Sequence, residues 1–457
     1  MKIRKMKIKK NVFSILFTIV CFTLNAQQLD LPDQLKESPE QHKERMAWWH
    51  DAKFGMFIHW GLYSMQGNGE WAMWNKQISV EDYAKQANEF NPVNYDPEQW
   101  AALAKEAGMN YMVLTTRHHD GFSLWDSKAS YRDFTIMNTP AKFDAVDKYV
   151  KAARKYGMGV GFYYSPLDWR FPGYFFPQMY RSSAEEMKKQ TYEQVRELLT
   201  NYGKIDVLWW DGGGDDWLAF GNEPQGTELK KRDPNWPPEK HYTGKPLWEG
   251  NKLNAMVREL QPQIIVNDRA NSPKIEWDGD FTTPEQNIGE YNTKRDWETC
   301  DCLTNGWGWQ PNQKPKSLEI IITRLVRTVT GDGNYLLNVG PRGDGSIEPE
   351  QVERLKEIGQ WMTKFGESIY KTKGGPFPNG EWGGFTQKDN IIYVHILDWS
   401  KMPEYLPAIN QKIIKATCLS GGNVNISQTS DGLKISVVGQ PEKLIDTIIK
   451  LDLKAIK

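Results

Sequence analysis

Two carboxylates at the ends of separate predicted strands are the residues of this sequence best suited to catalysis. Asp211 ends one predicted strand, between a tryptophan and a run of glycines, and the later segment 280–286 supplies Glu285. Glycoside hydrolysis needs such a pair, one acid to attack the sugar or activate water and one to protonate the leaving oxygen. Spacing alone does not choose the second acid. Three other glutamates compete for that role: Glu276, Glu290 and Glu298.

Four other predicted strand ends carry polar side chains that could hold a substrate. In a parallel barrel these ends meet on one face, where such folds place their chemistry. A lone histidine there is commonly a satisfied buried group, but a set at one rim favours a site. The side chains are those of His59, His118, His119, Tyr164 and Arg269. Tyr163 adjoins Tyr164, and a register slip of one residue would exchange them.

Tryptophan is unusually frequent, with 20 copies in 457 residues. Several copies lie beside the polar strand ends: Trp49, Trp60, Trp71, Trp74, Trp125, Trp209 and Trp210. An aromatic face packs against the C–H face of a sugar while nearby polar groups take its hydroxyls. Core packing is the alternative for Trp60, Trp210 and Trp361, but the whole set favours a carbohydrate site.

A metal centre is the rival interpretation of His118 and His119, together with His59. Successive side chains of a regular strand point to opposite faces, so at most one of the pair would face a given ion. The sequence also contains no His-x-His or His-Glu-x-x-His motif. We therefore expect no metal site.

The elements that would position these residues alternate between short apolar segments and helical patterns. This alternation is typical of parallel strands with crossover helices. Six strands are predicted: 54–61, 109–116, 158–165, 206–212, 264–268 and 335–340. We expect two more between residues 278 and 304, which would complete an α/β fold of the (β/α)8 barrel type.

Helix boundaries are marked by capping residues. Asp96 followed by Pro97 opens a helix that runs to Gly108, and a second helix spans 144–156 and ends at Gly157. A third helix is predicted over 184–202.

The chain is predicted to have a barrel followed by a smaller β domain. The stretch 212–248 is rich in Gly, Pro, Asp and Trp and reads as a long loop, which in a barrel lies on the active-site face. After residue 372 the pattern changes to short strands separated by turn residues. We expect a catalytic barrel over 27–372 and a C-terminal β-sandwich over 373–457.

The N-terminus has the pattern of a secretion signal. Residues 1–10 carry six basic and no acidic side chains, and an apolar run of 13 residues follows at 12–24. That run is too short to span a bilayer but suits a signal-peptide core ending before Gln27. We therefore expect cleavage of residues 1–26, a secreted or periplasmic protein, and no stable membrane insertion afterwards.

Composition argues against several other classes of protein. The formal net charge of -1 gives no electrostatic basis for binding nucleic acid. The four cysteines are too few for a disulfide framework, and no Cys-x-x-Cys motif occurs. For Cys300 and Cys302 we expect two buried thiols rather than a bridge.

Six segments, in this order, resemble the α-L-fucosidases of glycoside hydrolase family 29. They are 54–61 (FGMFIHWG), 70–71 (EW), 117–122 (RHHDGF), 209–212 (WWDG), 267–269 (NDR) and 333–341 (GNYLLNVGP). The likeness extends from about residue 48 to residue 370. It implies a catalytic barrel with a β-sandwich behind it, a retaining mechanism, and neither a metal nor an organic cofactor.

The resemblance also implies roles for individual residues. Asp211 matches the nucleophile of the family, and Glu285 falls where its better-studied bacterial members have the acid/base carboxylate. The long stretch before Glu285 leaves Glu290 and Glu298 as alternatives. Fucose-contacting positions correspond to His59, Glu70, Trp71, His118, His119, Tyr164, Trp209 and Arg269. The expected partner is a fucosylated oligosaccharide or polysaccharide, and no oligomeric state is predicted.

Other functions remain open at this point. A related glycosidase acting on α-L-galactosides or sulfated fucose would keep the same barrel. A non-catalytic fucose-binding protein would bind the sugar without hydrolysing it. A metal-dependent barrel hydrolase would lose activity to a chelator, whereas a fucosidase would not.

Overall fold

Seven parallel strands form the main sheet in the computed structural model, which describes residues 31–213, 218, 247–270, 279–439 and 444–455. The strands are β1 Phe54–Ile58, β2 Tyr111–Arg117, β3 Gly159–Tyr164, β4 Val207–Trp210, β5 Ile265–Val266, β6 Glu298–Cys302 and β7 Asn334–Val339. Their order is β5-β4-β3-β2-β1-β7-β6, and every pairing is parallel. The six strands predicted by pattern are confirmed, and β6 is one of the two expected between residues 278 and 304.

The eighth position of the barrel is filled by an irregular segment. The segment 281–285 makes single parallel bridges to both edges of the sheet, Asn267 to Phe281 after β5 and Glu285 to Cys300 in β6. No second strand forms among the described residues between 278 and 304, so that expectation was wrong. Pro284 lacks the N–H that a continuous ladder needs, and the bridges nonetheless close the predicted (β/α)8-type barrel.

Helices alternate with the strands along the chain. They are α1 Pro39–Ala52, α2 Ala72–Asn75, α3 Val80–Gln86, α4 Pro97–Glu106, α5 Ala145–Lys155, α6 Pro172–Phe175, α7 Arg181–Asn201, α8 Gly250–Leu260, α9 Leu318–Thr330 and α10 Pro349–Phe365. The predicted starts of α4 and α5 are confirmed, because Asp96 and Asp144 each accept hydrogen bonds from backbone N–H groups of the first turn.

Alternation along the strands sorts side chains between two cores. In β4, Val207 and Trp209 point into the barrel, whereas Leu208 and Trp210 pack in the layer between sheet and helices. Both faces of the sheet are therefore apolar, as expected for parallel strands covered by helices. The inner core also receives Trp49 from α1.

A second, antiparallel structure follows the barrel in the chain. Its strands are β8 Lys373–Gly374, β9 Gly383–Lys388, β10 Ile391–Ile396, β11 Ile413–Cys418, β12 Asn423–Thr429, β13 Gly432–Val438 and β14 Thr447–Leu453. Five of them form a sheet in the order β11-β14-β10-β9-β8, and β12 pairs with β13 as a hairpin. Their shared apolar core includes Val394, Ile449 and Leu433, and the other face of the sheet contributes Tyr393 and Ile448 to the barrel's outer core.

Two of these C-terminal strands do not follow from the pattern. β8 has only two residues, and β9 begins with two glycines, which weaken the strand signal. Gly383 has φ +147°, and a Cβ there would lie 1.9 Å from the carbonyl oxygen of His395. The sheet therefore requires glycine at a place where composition suggests a turn.

Parts of the sequence-based analysis concern residues outside the described ranges. These are the predicted signal peptide, most of the long loop 212–248, and Glu276. Among the described residues, no helix is long and apolar enough to cross a membrane. Cys300 and Cys302 are buried free thiols, as expected.

Candidate active site

The carboxyl ends of the barrel strands surround a cavity of about 110 Å3. Twelve side chains line it: Phe57, His59, Glu70, Trp71, His118, His119, Tyr163, Trp209, Asp211, Arg269, Glu285 and Trp307. Nine of the ten site residues predicted from the sequence are in this set. The site residues predicted from the sequence therefore line a single cavity, with one exception described below.

Asp211 lies at the centre of the polar contacts. Its Oδ2 accepts a hydrogen bond from the Tyr163 hydroxyl at 2.8 Å, and its Oδ1 accepts one from Nη1 of Arg269 at 2.9 Å. Nε2 of His119 lies 3.6 Å away. Burial alone would raise the pKa of Asp211, but the Arg269 charge, His119 and these hydrogen bonds outweigh it and lower that pKa. Asp211 is therefore held as a carboxylate.

The glycines after Asp211 allow this arrangement. Gly212 has φ +73°, and a Cβ there would lie 2.6 Å from the side chain of Leu167. Gly213 donates a backbone hydrogen bond to the carbonyl oxygen of Arg269 at 3.0 Å, and a Cβ there would lie 2.6 Å from the same oxygen. The run of glycines thus lets the ends of β4 and β5 come close enough for Arg269 to reach Asp211.

Arg269 joins the two candidate catalytic acids. While Nη1 binds Asp211, Nη2 donates to Oε2 of Glu285 at 3.0 Å, and Nε donates to the Thr283 hydroxyl at 2.8 Å. The guanidinium carbon also lies 4.7 Å from the centre of the Trp209 ring. Two acids that are 74 residues apart in sequence therefore meet at one side chain, as a two-carboxylate mechanism requires.

The competing glutamates lie elsewhere. Glu290 is exposed and does not line the cavity, and Glu276 is outside the described residues. Glu298 is buried in the barrel interior, where Trp49, Tyr111 and Trp209 donate hydrogen bonds to its carboxylate. Among the described candidates, Glu285 alone shares the cavity with Asp211, and its side chain is 43% exposed, which leaves it open to solvent and substrate.

His59 has a fixed tautomer that suits a hydroxyl donor. The amide of Asn338 donates to the carbonyl oxygen of Trp307, so its own oxygen is the acceptor for Nδ1 of His59 at 2.7 Å. Burial lowers the pKa of His59 to about 4, so the ring is neutral at pH 7. Its Nε2 is consequently an acceptor, available to a substrate O–H.

His118 and His119 both line the cavity, as the resemblance implied, and the argument that at most one of the pair would face a given ion was wrong. Strand β2 ends at Arg117, and strand alternation therefore does not apply to the pair. Potential ligand atoms of His118, His119 and Asp211 lie within 4.8 Å of one another. A cation there would face the guanidinium of Arg269, which already holds Asp211, and this positive charge disfavours a metal.

Glu70 and Trp71 approach the cavity from the loop before α2. Oε2 of Glu70 accepts a hydrogen bond from the backbone N–H of Gly308 at 2.8 Å. Burial raises the pKa of Glu70, and the nearby negative charges of Glu285 and Asp211 raise it further. The Trp71 ring packs edge-on against His119, with ring centres 5.5 Å apart. Together these residues form a wall with a carboxyl group and an aromatic face.

Tyr164 is the one predicted site residue that the structure places elsewhere. Its side chain lies on the outer face of β3, where its hydroxyl donates to Gln194 of α7 at 2.9 Å. Tyr163 points inward instead and donates to Asp211. The inward-facing tyrosine therefore lies one residue before the predicted one. The sequence of a strand end shows that side chains alternate between the two faces, but not which of two adjacent tyrosines faces inward.

Sequence reasoning also missed two aromatic lining residues. Phe57 lies inside β1, two residues before His59, where alternation from an inward-facing His59 could have indicated it. Trp307 comes from the segment between β6 and α9, and its ring centre lies 5.0 Å from that of His59. Its position in a Gly-Trp-Gly-Trp run gave only a compositional signal.

A parallel barrel whose strand ends bring together two candidate catalytic acids, a bridging arginine and aromatic walls is the arrangement expected of a glycoside hydrolase. Comparison with known proteins narrows this class. The family model for α-L-fucosidase matches residues 22–367. The chain therefore belongs to the α-L-fucosidase family, and it is a glycoside hydrolase with α-L-fucosidase activity.

Individual relatives agree with this assignment. The chain is similar to the crystal structure of α-L-fucosidase isoenzyme 1 from Paenibacillus thiaminolyticus, with 36% identity, a TM-score of 0.75, and coverage of 91% of this chain and 100% of that one. A family 29 enzyme from Bacteroides thetaiotaomicron, trapped as a covalent intermediate, gives 26% identity and a TM-score of 0.76 over 92% and 97% of the two chains. Tissue α-L-fucosidase of Bos taurus is 30% identical over 79% of this chain and 75% of its own length.

Proposed function

We propose that this enzyme is a retaining exo-α-L-fucosidase that removes terminal fucose through a covalent glycosyl-enzyme intermediate. The observation that carries the proposal is the pairing of Asp211 and Glu285 on the single guanidinium of Arg269. A similar structure from Bacteroides thetaiotaomicron was trapped as a covalent intermediate with 2-fluoro-fucosyl fluoride, which supports the same route here.

In this mechanism Asp211 is the nucleophile. Its carboxylate attacks the anomeric carbon as the bond to the leaving oxygen breaks, and inversion at this step gives a β-linked ester. The Arg269 charge and the Tyr163 hydroxyl keep the attacking group ionised. Glu285 gives a proton to the leaving oxygen and then takes one from water, whose attack restores the starting configuration.

The remaining side chains suit a single terminal sugar. Nε2 of His59 can accept from a sugar hydroxyl, and Glu70 offers a second polar contact from the opposite loop. Phe57, Trp209 and Trp307 supply apolar surface for the C6 methyl group of fucose. A cavity of about 110 Å3 closed at its base by the barrel core favours release of end groups over cleavage within a polymer.

Loss of the nucleophile tests the proposal. We expect Asp211→Ala to lower kcat for an aryl α-L-fucoside roughly 10⁴-fold or more, because the variant lacks the carboxylate that forms the ester. Azide should restore turnover and yield the β-fucosyl azide. The matched control is Asp206→Asn, at the opposite end of the β4 region, where the carboxylate accepts from the N–H of Val160. Near-normal hydrolysis by a folded Asp211→Ala variant would end the assignment.

The acid/base role of Glu285 predicts a dependence on the leaving group. Glu285→Gln should lower kcat/KM roughly 10²- to 10⁴-fold for a poor leaving group such as methyl, but little for dinitrophenyl, which needs no proton. Glu290→Gln is the matched control and should behave as wild type with both substrates. An equal loss with both leaving groups for Glu285→Gln would assign protonation to another residue.

We also propose that the enzyme is exported from the cell. The basic and apolar pattern of residues 1–26 supports this proposal. Sequencing of the mature protein should give an N-terminus at Gln27, and a mature protein that retains residues 1–26 would contradict it.

A further inference from the structure

A fourth carboxylate, Glu298, lies inside the barrel and has no part in the mechanism above. It is 1% exposed, and three side chains donate to it. Nε1 of Trp209 donates to its Oε1 at 3.1 Å, while Nε1 of Trp49 and the Tyr111 hydroxyl donate to its Oε2. The two oxygens of this carboxylate therefore have different partners. Among the described contacts, Oε1 accepts a hydrogen bond only from Trp209.

Trp209 contacts Glu298 in the barrel interior and also contacts residues of the active site. Its indole ring lies under the guanidinium of Arg269, 4.7 Å from ring centre to carbon, and stacks on Tyr163 with ring centres 5.9 Å apart at 15°. Arg269 and Tyr163 are the two groups that donate hydrogen bonds to Asp211. One ring thus supports both donors to the nucleophile.

We propose that Glu298 is a positioning residue for this reaction: it fixes the indole of Trp209, and through that ring the placement of Arg269 and Tyr163 on Asp211. An indole has one N–H donor, so a single buried acceptor determines how the ring is rotated. A ring free to tilt would shift Arg269 relative to both Asp211 and Glu285. The proposal rests on the assignment of Asp211 as the nucleophile.

Burying a carboxylate this deep inside the barrel costs free energy of desolvation. Burial raises the pKa of Glu298 to about 7, although its three donors act in the opposite direction. Replacing Glu298 by an apolar side chain would leave three buried donors without this acceptor, which would also destabilise the fold. The same three hydrogen bonds fix the side chains that donate them, so this buried carboxylate controls geometry as well as stability.

The test compares variants that remove the acceptor with one that removes a different donor. Glu298→Leu should lower kcat roughly 10- to 100-fold with a smaller change in KM, because the ring and Arg269 lose their alignment. The acid limb of kcat/KM should move to higher pH by roughly 0.5 to 1 unit, because weaker contacts raise the pKa of Asp211. Glu298→Gln should recover most of both effects, since its amide oxygen can still accept from Trp209. Its NH2 group can donate to the Tyr111 oxygen, and only the hydrogen bond from Nε1 of Trp49 is lost.

Tyr111→Phe is the matched control, because it removes a hydrogen bond from Oε2 and leaves Trp209 in place. It should lower the melting temperature but leave the acid limb unchanged. If Glu298→Leu does not fold, Trp209→Phe removes the same hydrogen bond from the other side and should also shift the acid limb upward.

Two outcomes would overturn the proposal. One is a folded Glu298→Leu enzyme whose acid limb of kcat/KM lies at the same pH as that of Tyr111→Phe. The other is a Trp209→Phe enzyme whose acid limb does not move from its wild-type position. Asp211→Ala, measured in the same series, shows whether the proposed function still holds when the role of Glu298 is rejected. A wild-type enzyme that is active and an Asp211→Ala variant that is not would leave the nucleophile assigned while Glu298 is rejected.

Discussion

At the scale of single residues, one of the two donors to the nucleophile differs from its sequence neighbour only in which face of the sheet it occupies. Tyr163 points into the cavity and donates to Asp211, whereas Tyr164 points outward and donates to Gln194. Both side chains are buried tyrosines on the same strand. They form a natural pair for separating catalysis from stability.

We expect Tyr163→Phe to lower kcat/KM roughly 10- to 100-fold, the rate equivalent of losing a hydrogen bond to a charged group worth ~1.5–3 kcal/mol. The pKa of Asp211 is depressed in the folded enzyme, so activity is present above that pKa and lost as the pH falls through it. Removing Tyr163's hydroxyl raises this pKa and moves the acid limb to higher pH. A pH–rate profile measures the shift.

Tyr164→Phe serves as the control for that experiment. It should leave the pH–rate profile unchanged and reduce the free energy of unfolding by about 1 kcal/mol, because only a buried structural hydrogen bond is lost. Equal effects of the two substitutions on the acid limb would contradict the assigned roles of Tyr163 and Tyr164.

Individual site residues could be predicted where their chemistry is rare. Asp211 and Arg269 were identified because charged groups at the ends of apolar strands have few structural explanations, whereas Glu285 was singled out among the competing glutamates only by the family resemblance. Aromatic residues were harder, since Phe57 and Trp307 fit core packing equally well in a sequence. The link from Glu298 through Trp209 could not be seen at all, because it joins residues 89 positions apart inside the barrel.

At the scale of elements, the sequence determined helix starts better than strand ends. A side chain that caps a helix acts over three or four residues, so its signal is local. The segment 281–285 shows the contrary case, because its bridges to β5 and β6 depend on where both edges of the sheet already lie. Local propensity cannot predict such a closure, and the two remaining strands were accordingly expected only somewhere within residues 278–304.

The start of α5 provides a test of this local control. Asp144 accepts from the backbone N–H of Asp147 at 2.8 Å and also receives the Tyr202 hydroxyl at 2.7 Å. Asp144→Ala should lower the free energy of unfolding by ~1–2 kcal/mol in urea denaturation. Asp147→Ala, which removes only an exposed pair with Lys151, should change it by less than about 0.5 kcal/mol. A smaller loss at Asp144 than at Asp147 would refute the capping role.

At the scale of the whole molecule, a charged contact away from the active site joins α1 to the segment before β6. The catalytic groups lie at the carboxyl ends of the strands, whereas α1 meets the residues just before β6 through His42 and Asp296. Fold class was predictable because alternating strands and helices leave few architectures. Contacts such as this one, which join residues 254 positions apart, were not predictable because no local pattern encodes them.

This contact predicts how stability depends on pH. Nε2 of His42 lies 3.4 Å from Asp296, and its Nδ1 lies 2.8 Å from Glu37. The hydrogen bond to Asp296 raises the pKa of His42 above 6.5, against burial that lowers it, and Glu37 and Asp280 raise it further. The guanidinium of Arg45 also faces the ring, at 3.3 Å from Nδ1, and opposes its charge. The carboxylates prevail, so folding favours the protonated ring.

A raised pKa in the folded state means that the stabilisation is complete below pH 6.5 and is lost as the pH rises through the folded-state pKa. The difference in unfolding free energy between wild type and His42→Gln should therefore be larger at pH 5.5 than at pH 8.5. Because the ring is about one-third exposed, we expect a change on the order of 1 kcal/mol or less. Urea denaturation at both pH values measures it, with Glu44→Gln on the exposed side of α1 as a control. A gap that stays constant or widens at high pH would show that His42 is not charged in this contact.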